Sequence, residues 1–120
     1  MIEPNMATML CYIMTDADLP KETLQSMLGQ SVDQSFNSIS VDGSESTSDT
    51  CVVISSKKVS DVDVDEFKSA LDDITKGLSA DLVRNGEGTS HVMRITVNGF
   101  PGSDDDARNL GEYLSVFLAM

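Results

Sequence analysis

The stretch that most constrains the fold is residues 63–83. Val64, Phe67, Leu71, Ile74, Leu78 and Leu82 recur at intervals of three or four, the spacing that gathers side chains on one face of an α-helix. Asp63 and Glu66 have capping-box spacing, with Asp in the capping role. Gly77 lies inside this run and weakens a helix by about 1 kcal/mol against Ala without breaking it. A long helix with one apolar stripe has to lay that stripe on another layer.

Candidates for that layer are short apolar runs. Residues 7–14, from Ala7 to Met14, are nearly all apolar. The run is too short for a helix and reads as a strand covered on both faces. Thr15-Asp16-Ala17-Asp18 supplies turn chemistry, and Pro20 suits the first turn of a helix. Leu24, Met27, Leu28 and Val32 then predict an amphipathic helix over 20–34. Residues 35–50 grow dense in Ser, Thr, Asp and Gly, and on composition they read as a surface loop. Cys51-Val52-Val53-Ile54-Ser55 is a β-branched strand.

Asn85-Gly86-Glu87-Gly88 marks a turn after the long helix. Met93, Ile95 and Val97 alternate with Arg94 and Thr96, which predicts a strand over 92–98 with one wet face. Ser103 is placed to cap a last helix with Asp104, Asp105 and Asp106 in its first turn, where the helix dipole favours acids. Ala107, Leu110, Leu114, Phe117 and Leu118 form that helix's stripe. Strand and helix thus alternate three times, predicting an α/β fold with one sheet layer and helices on one face. The sheet's other face then needs a second sheet or a partner.

Composition removes several functions. Twenty acids against eight bases give a net charge of -12, the wrong sign for non-specific nucleic-acid or anionic-membrane binding. No run reaches the roughly 18 apolar residues of a membrane span, and the first residues lack the pattern of a secretion signal. Cys11 and Cys51 each sit in an apolar run and read as buried thiols of a reducing compartment. With one histidine, His91, and no CxxC pair, a Cys/His zinc site lacks ligands. A Cys–His dyad of Cys11 or Cys51 with His91 is compatible with the count, but structural thiols are the commoner case.

One position invites a chemical reading. Thr8 stands where a lead-in becomes a strand; its hydroxyl is either a strand-edge group or a nucleophile. Glu87 lies in a glycine-flanked turn and on its own reads as a solvated acid.

Three motifs give the chain a resemblance. Met1-Ile2-x-Pro4-x-Met6-Ala7-Thr8-Met9-Leu10 is the first. Ser35-Phe36-Asn37-x-Ile39-x-Val41-Asp42-Gly43, followed by Ser46-Thr47-x-Asp49-Thr50, is the second, and Gly86-Glu87-Gly88 the third. In order and spacing they resemble the ornithine acetyltransferase family, the bifunctional glutamate N-acetyltransferases of arginine biosynthesis. Thr89, Ser90 and His91 depart from the family's Ala-Thr-Lys at those positions. The resemblance implies an α-β-β-α sandwich and self-cleavage between Ala7 and Thr8. Residues 1–7 would end an α-chain segment and 8–120 would form the N-terminal part of a β-chain. On that basis the chain is an internal fragment or a mispredicted reading frame, lacking the rest of the α-chain segment and the C-terminal part of the β-chain.

The chemistry implied is acetyl transfer from N2-acetylornithine to glutamate through an acetyl-threonine. Threonine is a weak nucleophile without a base. Once Thr8 is the first residue, its own α-amine, with a reference pKa of roughly 7.7–8.0, supplies one. Thr8 is therefore the implied catalytic residue, and Thr8 and Glu87 the implied substrate-binding pair; Asn37, Asp42, Asp49 and Thr50 read as scaffold, since short polar side chains in a crowded loop usually satisfy backbone groups. No metal or bound cofactor is expected; acetyl-CoA is an alternative co-substrate. The complete enzyme is expected to be a hetero-oligomer of α and β chains. Its expected compartment is the cytoplasm in a bacterium, and the mitochondrial matrix or plastid in a eukaryote. The competing readings are an N-terminal-nucleophile hydrolase or aminopeptidase of related fold, and a non-catalytic remnant.

Overall fold

The computed structural model describes residues 8–40, 47–86 and 88–119, with side chains described through residue 115. Strand β1 spans Leu10–Ala17 and helix α1 spans Lys21–Asp33. A short 3-10 turn, Phe36–Ser38, follows. Strand β2 is Thr50–Val59, helix α2 is Val64–Arg84 and helix α3 is Asp104–Ala119.

The two strands pair in parallel, from Leu10 opposite Thr50 to Thr15 opposite Ser55. Parallel neighbours require a crossover, and α1 supplies it. Side chains alternate along β1: Cys11, Ile13 and Ala17 are buried while Leu10, Tyr12 and Met14 are exposed. The prediction of a strand covered on both faces therefore fails. Helices α1 and α2 cover one face, and among the described residues nothing covers the other.

The core lies between that sheet face and the two helices. Cys11, Ile13, Leu28 and Leu71 form its centre; Ala17, Leu19 and Leu24 form a second cluster beside it. Helix α2 begins as its sequence dictates, with the Asp63 carboxylate accepting from the N–H groups of Asp65 and Glu66, both at 3.0 Å. Its predicted stripe is only partly buried. Leu71 is buried and Phe67 half-buried, yet Val64, Ile74, Leu78 and Leu82 remain exposed. The line that faces α1 and the sheet continues instead through Thr75 and Ser79, both buried. Thr75 resolves the polar cost by donating to the Leu71 carbonyl at 3.0 Å.

Helices α1 and α2 are locked by a polar contact. Ser31, 1% exposed, shares its hydroxyl proton between the Met27 carbonyl (2.9 Å) and the Asp72 carboxylate (2.6 Å). Lys68 reaches both oxygens of the same carboxylate at 2.7 Å. Lys68 first, then the Ser31 hydroxyl, hold the Asp72 carboxyl below its ordinary range.

The C-terminal ends of the strands are irregular. The register shifts between Thr15 and Ala17, and Lys57 adopts a left-handed φ of 55°. Ser55 donates its hydroxyl to the Ala17 carbonyl and accepts from the Lys57 N–H at 3.0 Å, which holds this bulge in place.

The predicted third strand is absent: residues 92–98 form no ladder. The alternation is real, with Ile95 and Val97 half-buried and Val92, Met93, Arg94 and Thr96 exposed. A strand also needs a neighbouring strand for its backbone groups, and no described strand pairs with this segment. Helix α3 forms as predicted. Ser103 accepts from the Asp106 N–H at 3.1 Å and donates its hydroxyl to the Asp106 carboxylate at 2.7 Å. The Ser103 hydroxyl first, then the Ser103 N–H at 3.2 Å, both donating to the carboxylate, hold the Asp106 carboxyl below its usual range. Val97 is the side chain nearest to Gly111 of α3, 3.9 Å from where a Cβ would stand.

Candidate functional site

The site is built where the first two motifs meet. Thr8 is exposed and precedes β1 by two residues. Its neighbour Met9 is held on both sides by the segment that opens β2. The Met9 N–H donates to Asp49 Oδ1 at 2.8 Å, and the Met9 carbonyl accepts from the Thr50 N–H at 2.8 Å. Asp49 is forty positions away in sequence, so parallel pairing alone brings these motifs together. The Met9 side chain packs against the core cluster. The backbone immediately after Thr8 is thus fixed by two hydrogen bonds and a half-buried side chain, while Thr8 itself is exposed.

The second motif behaves as scaffold where it is described. Asn37 donates to Asp33 at 2.8 Å, and Ser35, buried, donates to the Ser31 carbonyl at 2.6 Å. These bonds tie the segment after α1 back to that helix, which the low-complexity composition of residues 35–50 did not suggest. Asp42 lies outside the described residues, as do Ala7 and Glu87. The third motif shows its backbone: Gly86 accepts from the Thr89 N–H at 3.1 Å, and Gly88 has φ +74°, which favours glycine.

No thiol–imidazole pair forms. His91 is exposed, with Nδ1 3.1 Å from the adjacent Ser90 hydroxyl. Cys51 instead lies beside Cys11, and both thiols are free. Burial first, then the hydrogen bond and charge interaction with Cys11, push the Cys51 thiol up to about 12. Among the described residues no cluster of three or more His, Cys, Asp or Glu could hold a metal. No described helix is long and apolar enough to cross a membrane.

This α/β unit of two parallel strands and three helices has solved counterparts. The crystal structure of arginine biosynthesis bifunctional protein ArgJ from Bacillus halodurans superposes with a TM-score of 0.63 at 32% identity, over 68% of this chain and 42% of that one. The ArgJ family profile matches residues 1–116, and the chain belongs to the ArgJ family. It is 40% identical to the arginine biosynthesis bifunctional protein ArgJ of Methylococcus capsulatus, over 96% of this chain and 30% of that protein. Against the ArgJ 2 protein of Clostridium acetobutylicum it is 43% identical over 82% of this chain and 26% of that protein. The chain thus spans about 30% of the length of such curated relatives.

Proposed function

We infer that this chain carries the self-cleavage junction and the nucleophile of a glutamate N-acetyltransferase of arginine biosynthesis. The observation that supports this best is the double clamp on Met9 by Asp49 and Thr50. It fixes the residue after Thr8 and leaves Thr8 exposed, as a nucleophile that must meet a substrate requires.

In this reading the Thr8 hydroxyl attacks the Ala7 carbonyl in an N-to-O acyl shift. Hydrolysis of the ester then frees Thr8 as a new N-terminus. The released α-amine becomes the base that the hydroxyl lacks. Thr8 next attacks the acetyl carbonyl of N2-acetylornithine; ornithine leaves and an acetyl-threonine remains. The amine of glutamate accepts the acetyl group. Glu87 is assigned to an ammonium group of ornithine by a charge-assisted hydrogen bond, on its motif alone. Acetyl-CoA is a second donor, and no bound cofactor or metal takes part.

The same reading divides the chain at Ala7-Thr8 into the end of an α segment and the start of a β segment, partners in a hetero-oligomer. The bare apolar sheet face, with Leu10, Tyr12, Met14 and Ile54 exposed, supports one half of an α-β-β-α sandwich. The relatives named above come from bacteria, which favours the cytoplasm.

A chimera tests the assignment. Residues 1–116 replace the matching segment of the Methylococcus capsulatus relative, and transfer of labelled acetyl from N2-acetylornithine to glutamate is followed. Transfer that vanishes in Thr8→Ala supports the reading. Transfer that survives Thr8→Ala overturns it, and labelled acetate released without acceptor points to a hydrolase.

A further inference from the structure

Acyl transfer makes no use of the two cysteines. Cys11 and Cys51 are register partners on adjacent parallel strands, so both side chains leave the sheet on the helix-covered face. Cys11 is 7% exposed and belongs to the core cluster; Cys51 is half-buried and packs against it. Neighbouring strands lie about 4.8 Å apart, inside the roughly 4.4–6.8 Å Cα separation that a disulfide spans. The side chains around the pair, Ile13, Leu28, Leu71, Met27, Val53 and Phe67, are apolar. Cys51 is the more exposed residue of the two.

We propose that Cys11 and Cys51 form a reversible redox modification site, at which a low-molecular-weight disulfide oxidant cross-links β1 to β2 within the chain. Cys51 gives its proton to solvent and its sulfur attacks one sulfur of the oxidant, R–S–S–R. The oxidant's S–S bond breaks, and R–S⁻ leaves and takes up a proton. Cys11 then loses its proton and attacks the Cys51 sulfur of the mixed disulfide, expelling the second R–S⁻. The cysteine pair is oxidised by two electrons, and the oxidant is reduced to two thiols.

Thiolate is the attacking species, and partial burial first, then Cys11, push the half-buried Cys51 thiol up to about 12. The exchange is therefore slow at neutral pH and quickens in mild alkali. The cross-link lies two residues beyond Met9 and one beyond Thr50, and it staples covalently the junction that Asp49 clamps by hydrogen bonds.

The test uses the purified chain of 120 residues with oxidised and reduced glutathione at mildly alkaline pH. After quenching in acid and alkylation with N-ethylmaleimide, intact mass is read. The expected product is a monomer lighter by two hydrogen atoms with no alkylated thiol, restored by dithiothreitol. At one fixed glutathione ratio, the disulfide-to-dithiol ratio is expected to be at least about tenfold higher in buffer than in concentrated urea, because the sheet holds the sulfurs together. Two alkylated thiols, glutathione on both cysteines, an intermolecular dimer, or equal ratios in buffer and urea would each overturn the proposal.

Discussion

Removing the Asp72 carboxylate should cost this chain about 2 kcal/mol, and the structure says how that figure divides. In Asp72→Ala the Ser31 hydroxyl loses its 2.6 Å acceptor but keeps the Met27 carbonyl at 2.9 Å, so no buried donor is orphaned. A hydrogen bond to a charged group contributes roughly 1.5–3 kcal/mol, and the retained partner puts this one at the low end. The Lys68 pair, with side chains about one-fifth exposed, adds about 0.5 kcal/mol as an i,i+4 contact. Asp72→Asn keeps an acceptor but loses the charge, and should cost about 1 kcal/mol. Urea unfolding reads these differences; at a slope near 1.5 kcal/mol/M the midpoint for Asp72→Ala falls by about 1.3 M.

The pH dependence carries a definite sign. A carboxyl held below its ordinary 3.8 in the folded chain stabilises the fold fully above that value, and the contribution is lost as pH falls through the lowered one. The gap between wild type and Asp72→Asn should therefore be constant near neutrality and narrow below about pH 4. A double-mutant cycle of Ser31→Ala with Asp72→Ala should show coupling of about 1 kcal/mol. Additive single changes, or a gap that widens in acid, would refute the assignment of a lock between α1 and α2.

Other consequences follow from single contacts. Leu71→Ala opens a cavity beneath α2 at a residue 2% exposed and should cost about 3 kcal/mol in the same unfolding assay. Asp63→Ala removes a cap that accepts from two backbone N–H groups and should cost about 1 kcal/mol, with reduced protection of the first turn of α2 in hydrogen exchange. Asp49→Ala removes the acceptor of the Met9 N–H. An exposed bond of about 1 kcal/mol corresponds to a roughly fivefold slower cleavage at Ala7-Thr8 in the chimera, followed by mass spectrometry.

Periodicity and capping gave all five strands and helices close to where they stand, and a sixth element, the strand over 92–98, that does not form. The capping residues Asp63 and Ser103 mark the starts of α2 and α3 because each cap is a local, one-turn event. What failed was anything that depends on a partner elsewhere. Met93, Ile95 and Val97 alternate as a strand does, but alternation specifies a face and not a neighbour. Ile74, Leu78 and Leu82 keep helical spacing and are left exposed, since a stripe cannot state which part of it will be covered. Thr75 and Ser79 were unreadable as core because their hydroxyls are satisfied by carbonyls of their own helix. The Met9–Asp49 bond spans forty positions and rests on parallel register. Composition made that segment a surface loop, and only the motif resemblance pointed to its place in the site.

The most direct measurement is the chemical state of Thr8 during turnover. The chimera carrying residues 1–116 is mixed with N2-acetylornithine bearing a labelled acetyl group, quenched in acid without glutamate, and digested for mass spectrometry. The expected product is a chain beginning at Thr8 with one labelled acetyl group on that residue, removed when glutamate is added before the quench. A chain still joined at Ala7-Thr8, or a label carried on any other residue, would contradict it.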